Sequence, residues 1–195
     1  MRARRRSVHG AVLALLLATV VAGCDSGDQP TDTPPPSSAS SSPSPTIDPR
    51  AAPAVAAYEA YTRSSSNAAR RPLPHGSQYP PAADFEKYSF DPARARYLAY
   101  VSALAESGVT FRGTPPSPRV RVISVEPDAK PYPVVTLTDC RTPAPDWRGY
   151  RDDKPLPVAS ASVPPPYLIT AKVIFYKRHW GVQSTSTDTS KTCTA

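Results

Sequence analysis

The clearest periodic pattern in the chain is an apolar stripe at helical spacing within residues 91–108. Its apolar members are Tyr97, Val101, Leu104 and Ala105. Asp91 is a good N-cap, Pro92 suits the first helical position, and Gly108 suits the residue just past the last turn. The pattern therefore predicts a helix between Asp91 and Gly108.

An earlier helix is predicted to start at Asp48 and Pro49, which can cap and begin one. Val55, Tyr58 and Tyr61 then fall on one face of that helix. We expect it to end near the serines at positions 64–66. A long exposed loop and a short helical turn over residues 82–88 complete the connection to the second helix.

After Gly108 the apolar positions follow the spacing of strands. The predicted strands cover residues 109–112, 120–125, 134–139, 168–176 and 180–184. The last two are joined by the tight connection Lys177-Arg178-His179, which predicts an antiparallel hairpin. Helices followed by antiparallel strands predict an α+β fold, in which N-terminal helices pack in a curved antiparallel sheet.

The first 50 residues carry no pattern of a folded core. Arginines at the start precede an apolar stretch over residues 11–22, which is organised like an export signal and is too short to span a bilayer comfortably. Residues 25–50 are mostly Ser, Pro, Thr and Asp, so burial cannot offset the entropy of ordering them. We therefore divide the chain into a signal peptide (1–23), a disordered linker (24–50) and a folded domain (51–195).

The end of the apolar stretch, Val21-Ala22-Gly23-Cys24, resembles the lipobox of bacterial lipoproteins. In that family the cysteine thiol receives a diacylglyceryl group, with acyl chains such as palmitate, and becomes the new N-terminus. The resemblance implies that Cys24 is the lipidation site and that it anchors the protein to the outer face of the cell membrane. The alternative, an ordinary cleaved signal, does not explain why the polar segment starts directly after Cys24. The general secretory and twin-arginine export routes both stay open.

Net charge changes once the signal peptide is removed. The whole chain carries 23 basic and 16 acidic residues, a net charge of +7, but four of the basic residues lie in the signal. The remaining 19 basic residues leave a charge of +3, which permits attraction to anionic wall polymers or lipid headgroups. Scattered basic residues and an extracytoplasmic compartment argue against a nucleic-acid partner.

With Cys24 assigned to lipid, Cys140 and Cys193 remain as a pair in an oxidising compartment. A disulfide is the natural prediction, and two free thiols are the weaker alternative. The bridge would close a loop of about 53 residues and stabilise the fold by roughly 4 kcal/mol on the chain-entropy model.

Several short motifs together resemble a family of small secreted proteins and lipoproteins of actinobacteria, mostly of unknown function. These motifs are Phe111-Arg112-Gly113, Ser117-Pro118-Arg119-Val120, Thr136-Leu137-Thr138-Asp139-Cys140, Trp180 followed by Val182, and the terminal Cys193. Such domains are similar to the cone-shaped superfamily of nuclear transport factor two and ketosteroid isomerase, with a cystatin-like roll. The resemblance covers roughly residues 54–193 and implies a pocket between the sheet and the helices. The chain departs from the pattern in its Pro-rich insertion at 155–166.

One functional class is a small-molecule-binding or isomerase/cyclase-like enzyme that uses the cone pocket. Such chemistry needs a general base in an apolar pocket and a hydroxyl that stabilises an oxyanion. The candidates are Asp139 and Glu126 as bases and Tyr88, Tyr97 and Tyr100 as donors. No motif aligns them with catalytic positions, and the place of Asp139 beside Cys140 favours a structural role.

The other class, which the sequence favours, is a non-catalytic binding or accessory module. Trp147, Arg148, Tyr150 and Arg151 form a candidate binding patch after Cys140, since aromatic and Arg residues are common interface anchors. The alternative is that Trp147 packs over the sheet while the arginines are solvated. A cell-wall polymer or another envelope protein is the expected partner.

No cofactor or metal site is predicted. His75 and His179 each lack a second ligand at helical spacing, and the glycines are too dispersed for a phosphate-binding loop or a nucleophile elbow.

Overall fold

The computed structural model describes residues 48–157 and 165–193. The predicted signal peptide, the predicted lipidation site Cys24 and the linker up to residue 47 lie outside the described residues, as do residues 158–164 of the Pro-rich insertion. No helix in the described part of the chain is long and apolar enough to cross a membrane.

The described chain contains two α-helices, two single 3₁₀ turns and seven strands. The helices are α1 (Ala52–Arg70) and α2 (Ala93–Glu106), and the 3₁₀ turns cover Pro81–Ala83 and Glu86–Tyr88. The strands are β1 (Val109–Arg112), β2 (Val120–Glu126), β3 (Val134–Arg141), β4 (Arg148–Arg151), β5 (Lys154–Pro155), β6 (Tyr167–Tyr176) and β7 (His179–Thr192).

The strands form two antiparallel sheets, one in the order β2-β3-β6-β7 and one in the order β1-β4-β5. The predicted α+β fold, with N-terminal helices packed in one curved sheet, is therefore wrong: the structure is mostly β and its strands are divided. One physical reason lies after β1, where Pro115, Pro116 and Pro118 have no N–H to donate to a sheet ladder. β1 instead pairs with β4, a strand that the sequence pattern did not indicate.

Helix α1 runs past the serines where we expected it to end. The Ser64 hydroxyl donates to the Ala60 carbonyl at 2.7 Å, and the Ser66 hydroxyl donates to the Thr62 carbonyl at 2.9 Å. These bonds satisfy the hydroxyls of Ser64 and Ser66 inside the helix, so these two serines do not break it. The helix ends at Arg70.

A single cluster of buried side chains joins α1 and α2 to the four-stranded sheet. Its fully buried members include Tyr58, Phe85, Val101, Val135, Leu137, Val173 and Val182. Burying each of the aliphatic side chains stabilises the fold by about 1.5–3 kcal/mol. This cluster fixes the positions of the first turns of α1 and of the β6–β7 hairpin, between which the candidate site lies.

The predicted hairpin and disulfide are confirmed. Strands β6 and β7 are connected by Lys177 and Arg178, both in the left-handed region with φ of 49° and 69°. Strand β7 extends to Thr192, well beyond the predicted end at residue 184. Directly after it, Cys193 forms the disulfide with Cys140 at the end of β3, with a Cα–Cα distance of 5.8 Å.

Candidate ligand-binding cleft

A cleft of about 970 Å³ opens where the β6–β7 hairpin, residues 86–94 and the first turns of α1 meet. We call it the aromatic cleft, after the rings that line it. These are the side chains of Tyr88, Phe90, Tyr132, Tyr176, His179 and Trp180. Its volume lies within the range of known small-ligand sites.

Backbone pairing holds Phe90 against the hairpin. The Phe90 N–H donates to the Val182 carbonyl at 2.8 Å, and the buried Ser89 hydroxyl donates to the Phe85 carbonyl at 2.9 Å. Gly181 makes the close approach feasible, because a Cβ there would lie 2.7 Å from Phe90 Cε2. Position 181 therefore requires glycine for the Phe90 ring to keep its present position.

Four of the rings form a continuous row across the cleft. The centroid of Phe90 lies 5.4 Å from that of Tyr176 and 4.9 Å from that of His179. Tyr176 in turn lies 4.8 Å from Tyr132. The rings meet at tilted or edge-on angles, the arrangements that aromatic pairs prefer. We call Tyr132, Tyr176, Phe90 and His179 the aromatic row.

Two lysines lie beside tyrosines of the cleft, one at a ring of the aromatic row and one at Tyr88, outside that row. Lys177 Nζ lies 5.5 Å from the centroid of Tyr176, and Lys87 Nζ lies 5.5 Å from that of Tyr88. Within the described residues neither lysine lies within ion-pair distance of a carboxylate, whereas Arg94 pairs with Asp91 at 2.9 Å. The lining also holds Glu86, which forms no ion pair among the described residues. Its cations, Lys87, Arg94 and Lys177, therefore exceed its carboxylates, Glu86 and Asp91, by one. Ring faces with this small excess of positive charge suit a ligand that has a flat apolar surface and negative groups.

Asp139, a candidate base, is enclosed in a hydrogen-bonded network outside the cleft. Its side chain is 1% exposed. Its Oδ2 accepts hydrogen bonds from Tyr58 Oη at 2.8 Å and Arg141 Nε at 3.0 Å, and its Oδ1 accepts one from the Arg119 backbone N–H at 2.7 Å. Burial, reinforced by the Asp139 charge, raises the pKa of Tyr58. This arrangement supports the structural role of Asp139.

The other catalytic candidates do not converge on one point. Glu126 accepts a hydrogen bond from Ser124 at 3.0 Å at an exposed position of β2. Tyr97 donates to the Ser65 carbonyl at 2.6 Å, and burial raises its pKa. Tyr100 is 43% exposed on α2. Only Tyr88 of the candidate donors lines the aromatic cleft.

The structure places the predicted patch on β4 and the turn before it, away from the aromatic cleft. The ring of Trp147 lies 5.3 Å from Phe111, and the guanidinium of Arg70 lies 5.4 Å from the Trp147 centroid. Arg151 Nε donates to the Ser107 carbonyl at 3.0 Å. Trp147 and Arg151 thus contact other parts of the domain.

Arg148 and Tyr150 lie on β4, opposite Arg112 and Thr110 of β1.

Sequence reasoning missed Phe90, Tyr176 and Lys177 as site residues. A signal was present in the run Tyr176-Lys177-Arg178-His179-Trp180, which puts three rings and two cations around one turn. We interpreted that run only as a hairpin. Its partner, Phe90, comes from a segment with no periodic pattern.

Among residues 48–157 and 165–193, no three His, Cys, Asp or Glu side chains come together as metal ligands do.

Comparison of the chain with protein-family models and with curated proteins gives no match. Among solved structures it is similar to the crystal structure of the intermembrane space region of the chloroplast protein ARC6, with 14% sequence identity and a TM-score of 0.42. The match covers 73% of this chain and 98% of that chain. A likeness this distant carries no argument about function.

Proposed function

We propose that this protein is a lipoprotein, anchored through Cys24 to the outer face of the cell membrane, whose folded domain is a non-catalytic binding module. The observation that carries the binding role is the aromatic cleft, with its row of four rings, Lys177 beside that row and Lys87 beside Tyr88. The lipid anchor rests on the sequence Val21-Ala22-Gly23-Cys24 alone.

The ligand that fits the cleft best is a segment of an anionic cell-wall polymer. Flat rings give such a segment apolar surface to stack on, while tyrosine hydroxyls remain available for hydrogen bonds at the edge. The two lysines supply attraction to its negative groups. A module held at the membrane by lipid meets the wall without leaving its anchor.

Sedimentation with purified cell walls tests the binding role. Residues 25–195, exported so that the disulfide forms, should sediment with the walls. Tyr176→Ala and Lys177→Ala should each weaken this binding about tenfold, the effect expected for a central interface residue. Tyr100→Ala is the matched control, because Tyr100 is exposed and does not line the cleft.

Equal binding by all three variants would contradict the cleft as the ligand site. Binding to a single envelope protein rather than to walls would replace the polymer as ligand.

Membrane fractionation tests the anchor separately. Cys24→Ala should release the full-length protein from the membrane fraction. Membrane association that persists after this change would contradict lipidation at Cys24 while leaving the cleft untouched.

A further inference from the structure

The small sheet holds two arginines directly opposite each other. Arg112 of β1 and Arg148 of β4 are Cα partners in the antiparallel pair, so their side chains project from the same face. Like charges in this position are destabilising. The carboxylates near the pair are Asp153, an exposed partner of Arg112, and Asp146, on which the charge of Arg148 acts, so an external anion can compete with them for the two guanidinium groups.

Arg112 is positioned but only weakly neutralised. Its guanidinium lies 4.7 Å from the centroid of the Tyr150 ring, and its Nη2 donates to Asp153 Oδ1 at 2.5 Å. The Asp153 side chain is 86% exposed, so this ion pair is open to water and easily exchanged.

Arg148 is held by one bond and keeps its terminal nitrogens available. Its Nε donates to the Pro145 carbonyl at 2.8 Å. In the described part of the chain no carboxylate lies within ion-pair distance of it. The nearby Asp146 accepts a hydrogen bond from the Thr114 backbone N–H at 2.8 Å, and this bond, together with the charge of Arg148, lowers the pKa of Asp146.

We propose that Arg112 and Arg148 form a binding site for a phosphate-type oxyanion, which bridges the two guanidinium groups and displaces Asp153 from Arg112. The planar, multiply donating guanidinium group matches the geometry of phosphate oxygens. A free phosphate compound and a phospholipid headgroup both present this chemistry. The site is independent of the aromatic cleft and of the lipid on Cys24.

Nuclear magnetic resonance of the arginine side chains tests the site directly, on residues 25–195 titrated with inorganic phosphate. The Nε–Hε resonances of Arg112 and Arg148 should shift together and saturate. Arg148→Gln should weaken binding about tenfold, because it removes charge-assisted hydrogen bonds. Arg121→Gln, an equal change of charge on an exposed strand position of the other sheet, should leave affinity unchanged.

A variant that binds phosphate more tightly distinguishes this site from general electrostatic attraction. Asp153→Asn removes the internal competitor and should tighten phosphate binding about threefold. Asp152→Asn makes the same change of charge one residue away and should have a smaller effect. Both positions have positive φ, of 51° and 60°, which Asn tolerates.

Vesicles distinguish the two sources of phosphate. If the source is a headgroup, the chain without its anchor should bind vesicles containing phosphatidylglycerol, but not phosphatidylcholine alone, and Arg148→Gln should reduce that binding. If the source is a free compound, phosphate should shift the resonances while vesicles retain no protein. The proposal is overturned if neither ligand binds, or if Arg121→Gln and Arg148→Gln weaken binding equally.

Discussion

The hydroxyl of Tyr58 on α1 donates a 2.8 Å hydrogen bond to the buried carboxylate of Asp139 on β3, across 81 residues of sequence. Asp139 precedes Cys140, so this bond and the disulfide to Cys193 lie side by side. Together they fasten the first helix and the last strand to the same end of β3.

Removing the Tyr58 hydroxyl should destabilise the domain without leaving a large cavity in the core. Tyr58→Phe keeps the ring and deletes one donor to a buried charge, so the free energy of unfolding should fall by about 1.5–3 kcal/mol. Tyr100→Phe, at a partly exposed ring, should change it by less than about 0.5 kcal/mol. Urea unfolding of both variants checks this, and equal losses would contradict the role of the network.

The buried tyrosines should make the fold sensitive to alkaline pH. Burial raises the pKa of Tyr58 and Tyr97 in the folded state, while an unfolded tyrosine titrates near about 10. The stability they contribute is fully present below that value and is lost as pH rises toward their raised folded-state pKa, by up to about 1.4 kcal/mol per pH unit for each.

Thermal unfolding between pH 8 and 11 measures this dependence. The double variant Tyr58→Phe/Tyr97→Phe should show a shallower decline in Tm above pH 10 than the native chain. An identical decline would mean that other groups cause the alkaline loss.

The disulfide should be a major contributor to stability. Cys193→Ser opens a loop with a sequence separation of 53 residues, and the chain-entropy model gives a loss of roughly 4 kcal/mol. Thermal unfolding should show a clearly lower Tm for the variant, and reduction of the native protein should reproduce it. Reductant should then change the variant no further. An unchanged Tm in the variant would contradict this contribution.

Local signals predicted part of this fold well. The apolar stripe and Gly108 gave a helix close to the observed Ala93–Glu106. The predicted cap is wrong, because Pro92 occupies the N-cap position and the Asp91 carboxylate pairs with Arg94. The alternation of apolar and polar residues predicted β1 at its observed bounds and the central residues of β2, β3 and β6. The tight connection between β6 and β7 predicted the hairpin, and the two cysteines left after Cys24 was assigned to lipid predicted the disulfide; both are confirmed.

The features that the sequence did not predict depend on contacts between distant segments. Strands β4 and β5 are short and lack alternation, so only their pairing with β1 identifies them. The aromatic cleft likewise combines the start of α1, residues 86–94 and the β6–β7 hairpin, which no local pattern links. Tertiary packing determines such features, and the pattern of apolar and polar residues gives little information about that packing.

The close packing between the end of β1 and the turn before β4 can be tested at one glycine. Gly113 has a φ of +94°, and a Cβ there would lie 2.1 Å from the Asp146 carbonyl oxygen. Gly76 has a φ of +82° with open space around it. Gly76→Ala should therefore cost about 1–2 kcal/mol from backbone strain alone. Gly113→Ala should cost clearly more, because backbone must also move. Urea unfolding should separate the two, and equal costs would contradict the close packing at Gly113.

Ligand binding in the aromatic cleft is the central claim, and Trp180 can report on it directly. Trp147→Phe leaves Trp180, which lines the cleft, as the single tryptophan of the chain. Titration of this variant with purified, solubilised cell-wall polymer fragments should give a saturable change in fluorescence, and adding Tyr176→Ala should weaken the binding about tenfold. No change in Trp180 fluorescence, or the same binding curve with and without Tyr176→Ala, would contradict the account.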